Sequence, residues 1–271
     1  MVGRHDRSAR KSQRLLGNHQ KCWIWGRHLV QETLAAGRWP MLELHLAKSA
    51  DDSEAHALQE RARELDVAVQ LRTSDDLQKL CRSRDHQGFV AKMAEFPYTT
   101  VPELLDRQIA THPPLYLICD SIQDPFNLGA ILRTSEALQV SGVLIGRQNQ
   151  VGVTSHVARS SAGAVNHLLI SRVDDLVTTI GLFRDRGIRV VGASEKADCP
   201  LTDCDMRRAT AVVVGNEGQG IRAEVWKQCD QRIAIPLTGQ MTSLNAAVAC
   251  GIILYEASRQ RQQDQTGSLG S

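Results

Sequence analysis

"LYLICDSIQDPFNLGAILRTSEALQVSGVLIG", residues 115–146, runs from one short apolar stretch to another through a segment with helical spacing. "LYLICD" and "VSGVLIG" are nearly continuous in apolar residues, as strands buried on both faces of a parallel sheet are. Between them, Pro125 and Asn127 open "DPFNLGAILRTSEAL", in which Leu128, Ile131, Leu132 and Leu138 recur at helical spacing. Parallel neighbours need a crossover connection, and a helix between two such strands supplies it. The stretch therefore predicts an α/β fold with a mostly parallel sheet.

Downstream, "HLLISRV", "RVVGAS", "TAVVVGN" and "RIAIPL" repeat the strand pattern, and a last helix is expected to open at Ser243 in "SLNAAVACGIILYEASRQRQQ". Upstream, "EFPYTTVPELLDRQIATHPP" carries Pro97, Pro102, Pro113 and Pro114 and reads as a linker around one short helix. Before it, "HLVQETLAAG", "MLELHLA", "SEAHALQERAREL", "VAVQL", "SDDLQKLCR" and "QGFVAKM" alternate between helix and strand, a smaller α/β unit of its own. The expected divisions are a basic, disordered arm at 1–21, the small unit at 22–95, a linker at 96–113, the larger sheet domain at 114–262 and a disordered tail at 263–271.

No apolar run among the 271 residues approaches the ~18 needed to span a bilayer, and the first residues lack the apolar centre of a signal peptide. A cytoplasmic protein with no membrane partner is expected. The seven cysteines form no CxxC pair and the nine histidines no HExxH cluster, so reduced thiols and no metal are expected. Charge is uneven. Within residues 1–27, Arg4, Arg7, Arg10, Lys11, Arg14, Lys21 and Arg27 face the single acid Asp6, a local +6 that leaves −4 for the remainder of a chain of net +2. Such an arm is either a solvated tail or a set of phosphate contacts to nucleic acid.

Ligands of open α/β sheets sit beyond the carboxyl ends of the strands. Three stretches fall there. "VVVGNEGQGI" matches neither the dinucleotide fingerprint nor the phosphate loop, since its glycines are spaced GxxGxG and no Lys-Ser or Lys-Thr follows. It is either a tight turn or a cradle for a ligand that needs close backbone approach and carries positive charge, as S-adenosylmethionine does. In "TSLNAAVA", Ser243 suits a helix N-cap, and Asn245 could turn its amide to a ligand. In "DPFNLGAILR", Gly129 permits close packing and Arg133 stands among apolar neighbours. Its guanidinium either snorkels to solvent or awaits an anion.

Taken together, "NLGAILRTSEAL", "VVVGNEGQGI" and "IPLTGQMTSLNAAVACGIILYEASRQR" resemble, in order and spacing, the three motifs of the SpoU (TrmH) family of RNA ribose 2′-O-methyltransferases, within the SPOUT superfamily. The resemblance covers about residues 113–262. Residues 23–94, with "GRHLVQETLAAG" and "HQGFVAKM", resemble the small RNA-binding domain that many members carry in front. This architecture is most similar to the enzymes that methylate a guanosine ribose of large-subunit ribosomal RNA.

The resemblance implies a trefoil-knotted sheet domain, S-adenosyl-L-methionine as cofactor, and a homodimer joined through the knotted region. It places Asn127, Arg133, Glu217, Ser243 and Asn245 at the reaction centre. Gly215, Asn216, Glu217, Gly218, Ile235, Pro236, Leu237, Ser243, Leu244 and Asn245 would hold the cofactor. Arg4, Arg7, Arg10, Lys11, Arg14, Arg27 and Arg159 are candidate RNA contacts, with Trp23 and Trp25 placed to stack on a base. "SLNAAVA" departs from the commoner "SLNVSVA", and Asn166 stands where close relatives often carry an acid. Transfer RNA is the alternative substrate, and a non-catalytic RNA-binding or ribosome-assembly protein the alternative class.

Overall fold

The computed structural model describes residues 22–48, 53–106, 113–216 and 218–267. Arg4, Arg7, Arg10, Lys11, Arg14 and Glu217 lie outside them. The chain divides into two compact units, residues 1–97 with 154–159, and residues 98–153 with 160–271.

In the first unit, β1 (Trp23–Trp25), α1 (Arg27–Ala36), β2 (Met41–Ala47), α2 (Ser53–Glu64), β3 (Ala68–Arg72), α3 (Ser74–Cys81) and β4 (Phe89–Met93) follow one another. The sheet order is β1-β4-β2-β3, with β2 and β3 parallel and the other pairs antiparallel. Gly37 ends α1 at φ +63, the left-handed cap that favours glycine, and its N–H donates to the Thr33 carbonyl at 3.3 Å. Thr73 caps α3 by accepting from the Asp76 N–H at 3.2 Å.

Both tryptophans of β1 are buried, which corrects the expectation that they stack on a base. Trp23 meets His45 edge-on at 5.3 Å and Trp25 meets His156 edge-on at 5.8 Å. With only three residues and neighbours on both faces, β1 turns neither indole outward.

The second unit begins earlier than the proline pattern implies. It holds α4 (Val101–Asp106), β5 (Leu115–Asp120), α5 (Pro125–Ala137), β6 (Gly142–Gly146), the last residue of α6 (Ser155–Ser160), β7 (Ile170–Val173), α7 (Leu176–Asp185), β8 (Arg189–Ala193), β9 (Cys199–Pro200), β10 (Thr210–Gly215), α8 (Ala223–Trp226), β11 (Gln231–Ala234) and α9 (Ala246–Gly267). Helix α4, assigned to a linker by its prolines, buries Leu104 and Leu105 in the same core as Ile118, Leu144 and Val213. Leu104 packs so closely on β6 that a Cβ at Gly142 would stand 2.7 Å from its Cγ. Proline at the second position of a helix lacks only an N–H that would be unpaired there, so it starts α4 instead of breaking it.

The sheet of this unit is seven-stranded and parallel throughout, in the order β7-β6-β5-β10-β8-β11-β9. Tyr116 and Phe183 meet edge-to-face at 5.2 Å in its core. In register, Gly215 pairs with Asp120, so the ends of β5 and β10 open on the same edge.

Helix α9 differs from expectation at both ends. Its cap is Asn245, whose Oδ1 accepts the N–H groups of Ala247 at 2.9 Å and Val248 at 3.3 Å, so the helix starts three residues after Ser243. It continues to Gly267, five residues into the expected tail, because "QRQQDQT" contains no breaker. Buried Arg261 anchors this extension. Its guanidinium donates to the carbonyls of Pro113, Met206 and Arg208 at 2.6–2.8 Å, and burial pushes its pKa down to about 10.

Candidate active site at the strand ends

Beyond the ends of β8, β10 and β11 lies a cavity of about 290 Å³. Its floor and one wall are apolar: Val214, Ile233, Ile235, Ala246, Ala249 and Ile253. Ser194, Glu195, Lys196, Thr242 and Ser243 supply polar groups of both charge signs. A lining that combines apolar side chains with polar groups of both charge signs suits a ligand that joins a flat ring to a zwitterionic amino acid, as S-adenosylmethionine does.

The glycine loop forms a second wall. Asn216 and Gly220 exchange backbone hydrogen bonds at 3.1 and 2.8 Å, and a Cβ on Gly215 would come within 2.2 Å of the Gly220 backbone. Asn216 Oδ1 accepts from the N–H groups of Gly218 and Gln219. Here the tight turn and the close approach are the same feature: the loop folds on itself and thereby faces the cavity.

Of the expected cofactor residues, Gly215, Asn216, Gly218, Ile235, Leu237, Ser243 and Leu244 line this cavity. Pro236 does not, because successive residues of an extended segment point to opposite sides and Ile235 and Leu237 face inward. Nor does Asn245, which is drawn away by capping α9 and donates from Nδ2 to Asn127 Oδ1 at 3.0 Å. Missed altogether were Ala193 to Lys196, although "RVVGAS" ends a strand as the three chosen stretches do and the same strand-end rule applies to it.

Helix α5 carries the other half of the site. Asp124 caps it, accepting the Phe126 N–H at 2.9 Å. Gly129 is fixed by packing: a Cβ there would meet Ser160 Oγ at 1.7 Å, and that hydroxyl donates to the Pro125 carbonyl at 3.0 Å. Leu128, Ile131 and Leu132 are buried while Arg133 is exposed, with no hydrogen bond or ion pair to any described residue. The helix thus sets a cation in solvent and pairs it with no described residue. Asn245 joins this helix to the cavity, since the preceding residues Ser243 and Leu244 line it.

The two candidate RNA contacts that the structure describes, Arg27 and Arg159, are already engaged. Arg27 lies over the Phe89 ring at 4.6 Å and pairs with Glu54 at 2.7 Å. Arg159 lies over Trp25 at 5.1 Å and faces Asp85 at 3.5 Å.

Two family models match the chain, one over most of each unit. Residues 114–255 match the SpoU rRNA methylase family, and residues 23–99 match the RNA 2′-O ribose methyltransferase substrate-binding domain. The chain belongs to the SpoU family. Among SpoU relatives, the 23S rRNA (guanosine-2′-O-)-methyltransferase RlmB of Coxiella burnetii is 36% identical over 240 residues, 88% of this chain and 96% of the relative. The putative TrmH family tRNA/rRNA methyltransferase YacO of Bacillus subtilis is 34% identical over 245 residues, 90% and 98%. The crystal structure of the SpoU methyltransferase AviRb from Streptomyces viridochromogenes superposes with a TM-score of 0.76 at 26% identity, covering 90% of this chain and 91% of that one. Its complex with AdoMet superposes at 0.74 and 25%, covering 89% and 90%.

Proposed function

We propose that this protein transfers the methyl group of S-adenosylmethionine to a ribose 2′-hydroxyl of RNA, at a guanosine of large-subunit ribosomal RNA. The observation that carries the reading is the Asn245–Asn127 bridge, which links a cavity suited to the cofactor with a helix that presents an exposed arginine with no partner among the described residues. The relatives named as 23S rRNA guanosine-2′-O-methyltransferases support the substrate.

When bound, the cofactor supplies a methyl group already activated on its sulfonium. The chain does the rest. Backbone around Gly215, Gly218, Ile235, Leu237 and Leu244 would hold the adenosine and methionine parts, with Ser194, Glu195 and Lys196 available to the amino-acid group. Asn245 has its Oδ1 committed to the helix, so its amide nitrogen must face Asn127, and this fixes the Asn127 amide with Nδ2 turned away. Arg133 grips an RNA phosphate and hydrogen-bonds the 2′-oxygen as negative charge develops there. Arg133 is assigned the role of an electrostatic clamp, since its planar fork can donate to a phosphate and to the 2′-oxygen. Glu217, Ser243 and the arm cations Arg4, Arg7, Arg10, Lys11 and Arg14 complete the reading, the first two ordering the centre and the arm contacting phosphates.

The same reading makes the protein a homodimer with a knotted C-terminal half. Val248, Ile252 and Tyr255 form an exposed stripe at i, i+4 and i+7 on α9, as a helix awaiting a partner does. The later strands β10 and β11 flank β8 in the sheet, which supports a chain threaded through itself. No described helix is long and apolar enough to cross a membrane, and we place the activity in the cytoplasm, with ribosomal RNA.

Incubation with methyl-labelled S-adenosylmethionine and separated ribosomal and transfer RNAs tests the substrate. Label should enter the large-subunit RNA. Label in transfer RNA alone would move the assignment to the alternative substrate, and label in neither would favour a non-catalytic RNA-binding role.

A further inference from the structure

Asp120 ends β5 with its side chain fully buried, where a carboxylate is unfavourable unless it is paired and hydrogen-bonded. Arg222 satisfies it twice, through Nε on Oδ1 at 2.7 Å and through its backbone N–H on Oδ2 at 2.8 Å. The Ser121 hydroxyl adds a third hydrogen bond at 3.2 Å. Arg222 lies two residues beyond Gly220, so this contact ties down the far end of the cofactor wall. The near end is tied to the same place. Gly215 pairs with Asp120 in the sheet register, and Asn216 Nδ2 donates to the Ser121 carbonyl at 3.1 Å. Ser121 holds φ +65, a left-handed conformation uncommon for serine, at the junction where the chain turns from β5 toward α5. None of Asp120, Ser121 or Arg222 lines the cavity.

We propose that Asp120 and Arg222 are a positioning pair that sets the shape of the glycine loop and thereby the affinity for the cofactor. The pair clamps the far end of the glycine loop at Arg222, while the β5–β10 register and the Asn216–Ser121 hydrogen bond hold its near end against the strand that leads to Asn127 and Arg133. Fixing both ends before the ligand arrives removes an ordering cost from binding. This proposal rests on the reading that the cavity takes S-adenosylmethionine.

The test is calorimetric binding of S-adenosylmethionine to the full chain and to Asp120→Asn and Arg222→Lys, with methyl-transfer kinetics beside it. Asparagine keeps the size of Asp120 but sets an amide donor against the Arg222 donors. Lysine keeps the charge but lacks the fork that reaches Oδ1 while the backbone N–H holds Oδ2. Each variant should weaken binding by about tenfold to a hundredfold, the range for a lost charge-assisted hydrogen bond. The KM for the cofactor should rise in step, and kcat at saturating cofactor should stay within a few-fold of wild type. Should Asp120→Asn fail to fold, Arg222→Lys decides alone, since the Arg222 side chain is about one-third exposed and accepts the change. Wild-type affinity in a folded variant, even one of lowered melting temperature, would overturn the pair while leaving the cofactor reading intact. Failure of the wild type itself to bind would overturn that reading first, and the pair with it.

Discussion

Arg133 keeps its guanidinium in solvent on a helix whose Leu128, Ile131 and Leu132 are buried. With no partner among the described residues, its removal leaves no buried charge behind. Arg133→Ala should therefore fold and bind S-adenosylmethionine like wild type, while methyl transfer falls about a hundredfold or more, the scale for one preorganised charge-stabilising donor. Arg133→Lys should recover little of that loss, because an ammonium lacks the planar fork. A variant that fails to fold while lysine restores full activity would make Arg133 structural. Gly215 is the sharper probe of the cofactor wall than Gly218. A Cβ at Gly215 would collide with backbone at 2.2 Å, whereas at Gly218 it would meet only the Asn216 side chain at 3.3 Å. Gly215→Ala should abolish cofactor binding by calorimetry in a protein that still unfolds cooperatively, and unchanged binding would move the cofactor away from this loop. Asn127 was singled out through the family resemblance alone, whereas the close turn of the glycine loop was legible in sequence because it needs glycine at particular backbone positions. The Asp120–Arg222 pair was not, because its members lie 102 positions apart and only the β5–β10 register brings them together.

The elements of the sheet could be read from short apolar runs, since strands covered on both faces carry little else. Helix α4 was expected as a short helix within a linker, but its place in the core was not, because four prolines in twenty residues look like a break until Leu104 is seen inside the core. Leu104→Ala should lower stability by about 2–5 kcal/mol, the cost of deleting a fully buried leucine side chain, as measured by urea unfolding. A loss under about 0.5 kcal/mol, typical of a surface position, would return the segment to the status of a linker. At α9 the boundary was misplaced because serine and asparagine are equally good caps in sequence, and only the hydrogen bonds to Ala247 and Val248 choose between them. The stripe on the same helix gives a second test. Ile252→Glu places a charge in its middle and should convert the proposed dimer to a monomer in sedimentation equilibrium. A dimer that survives the change would locate the interface elsewhere.

At the scale of the whole molecule, the free cysteines make stability depend on alkaline pH. Burial pushes the thiol of Cys229 up to about 11 and that of Cys250 up to about 12, against an ordinary value of 9.0. Between these values the unfolded chain has released protons that the folded chain retains, so stability falls as pH rises. Each such thiol contributes a slope of up to about 1.4 kcal/mol per pH unit. Arg261 acts in the opposite sense, but only above about pH 10, where the folded state begins to lose its proton. Urea midpoints between pH 8 and 10 should therefore drop, less so in Cys250→Ala, and a flat profile would show that these thiols are not closed off from water. The two units, each with its own sheet, match a substrate-binding model and a methylase model in turn, and the central claim joins them in one reaction on RNA ribose. It is tested most directly by the linkage formed. After transfer of labelled methyl to large-subunit ribosomal RNA, alkaline hydrolysis should leave the label in a dinucleotide resistant to cleavage, with 2′-O-methylguanosine at its 5′ side, because a methylated 2′-oxygen cannot attack its own phosphodiester. Label released in single nucleotides would place the methyl on a base and contradict the account.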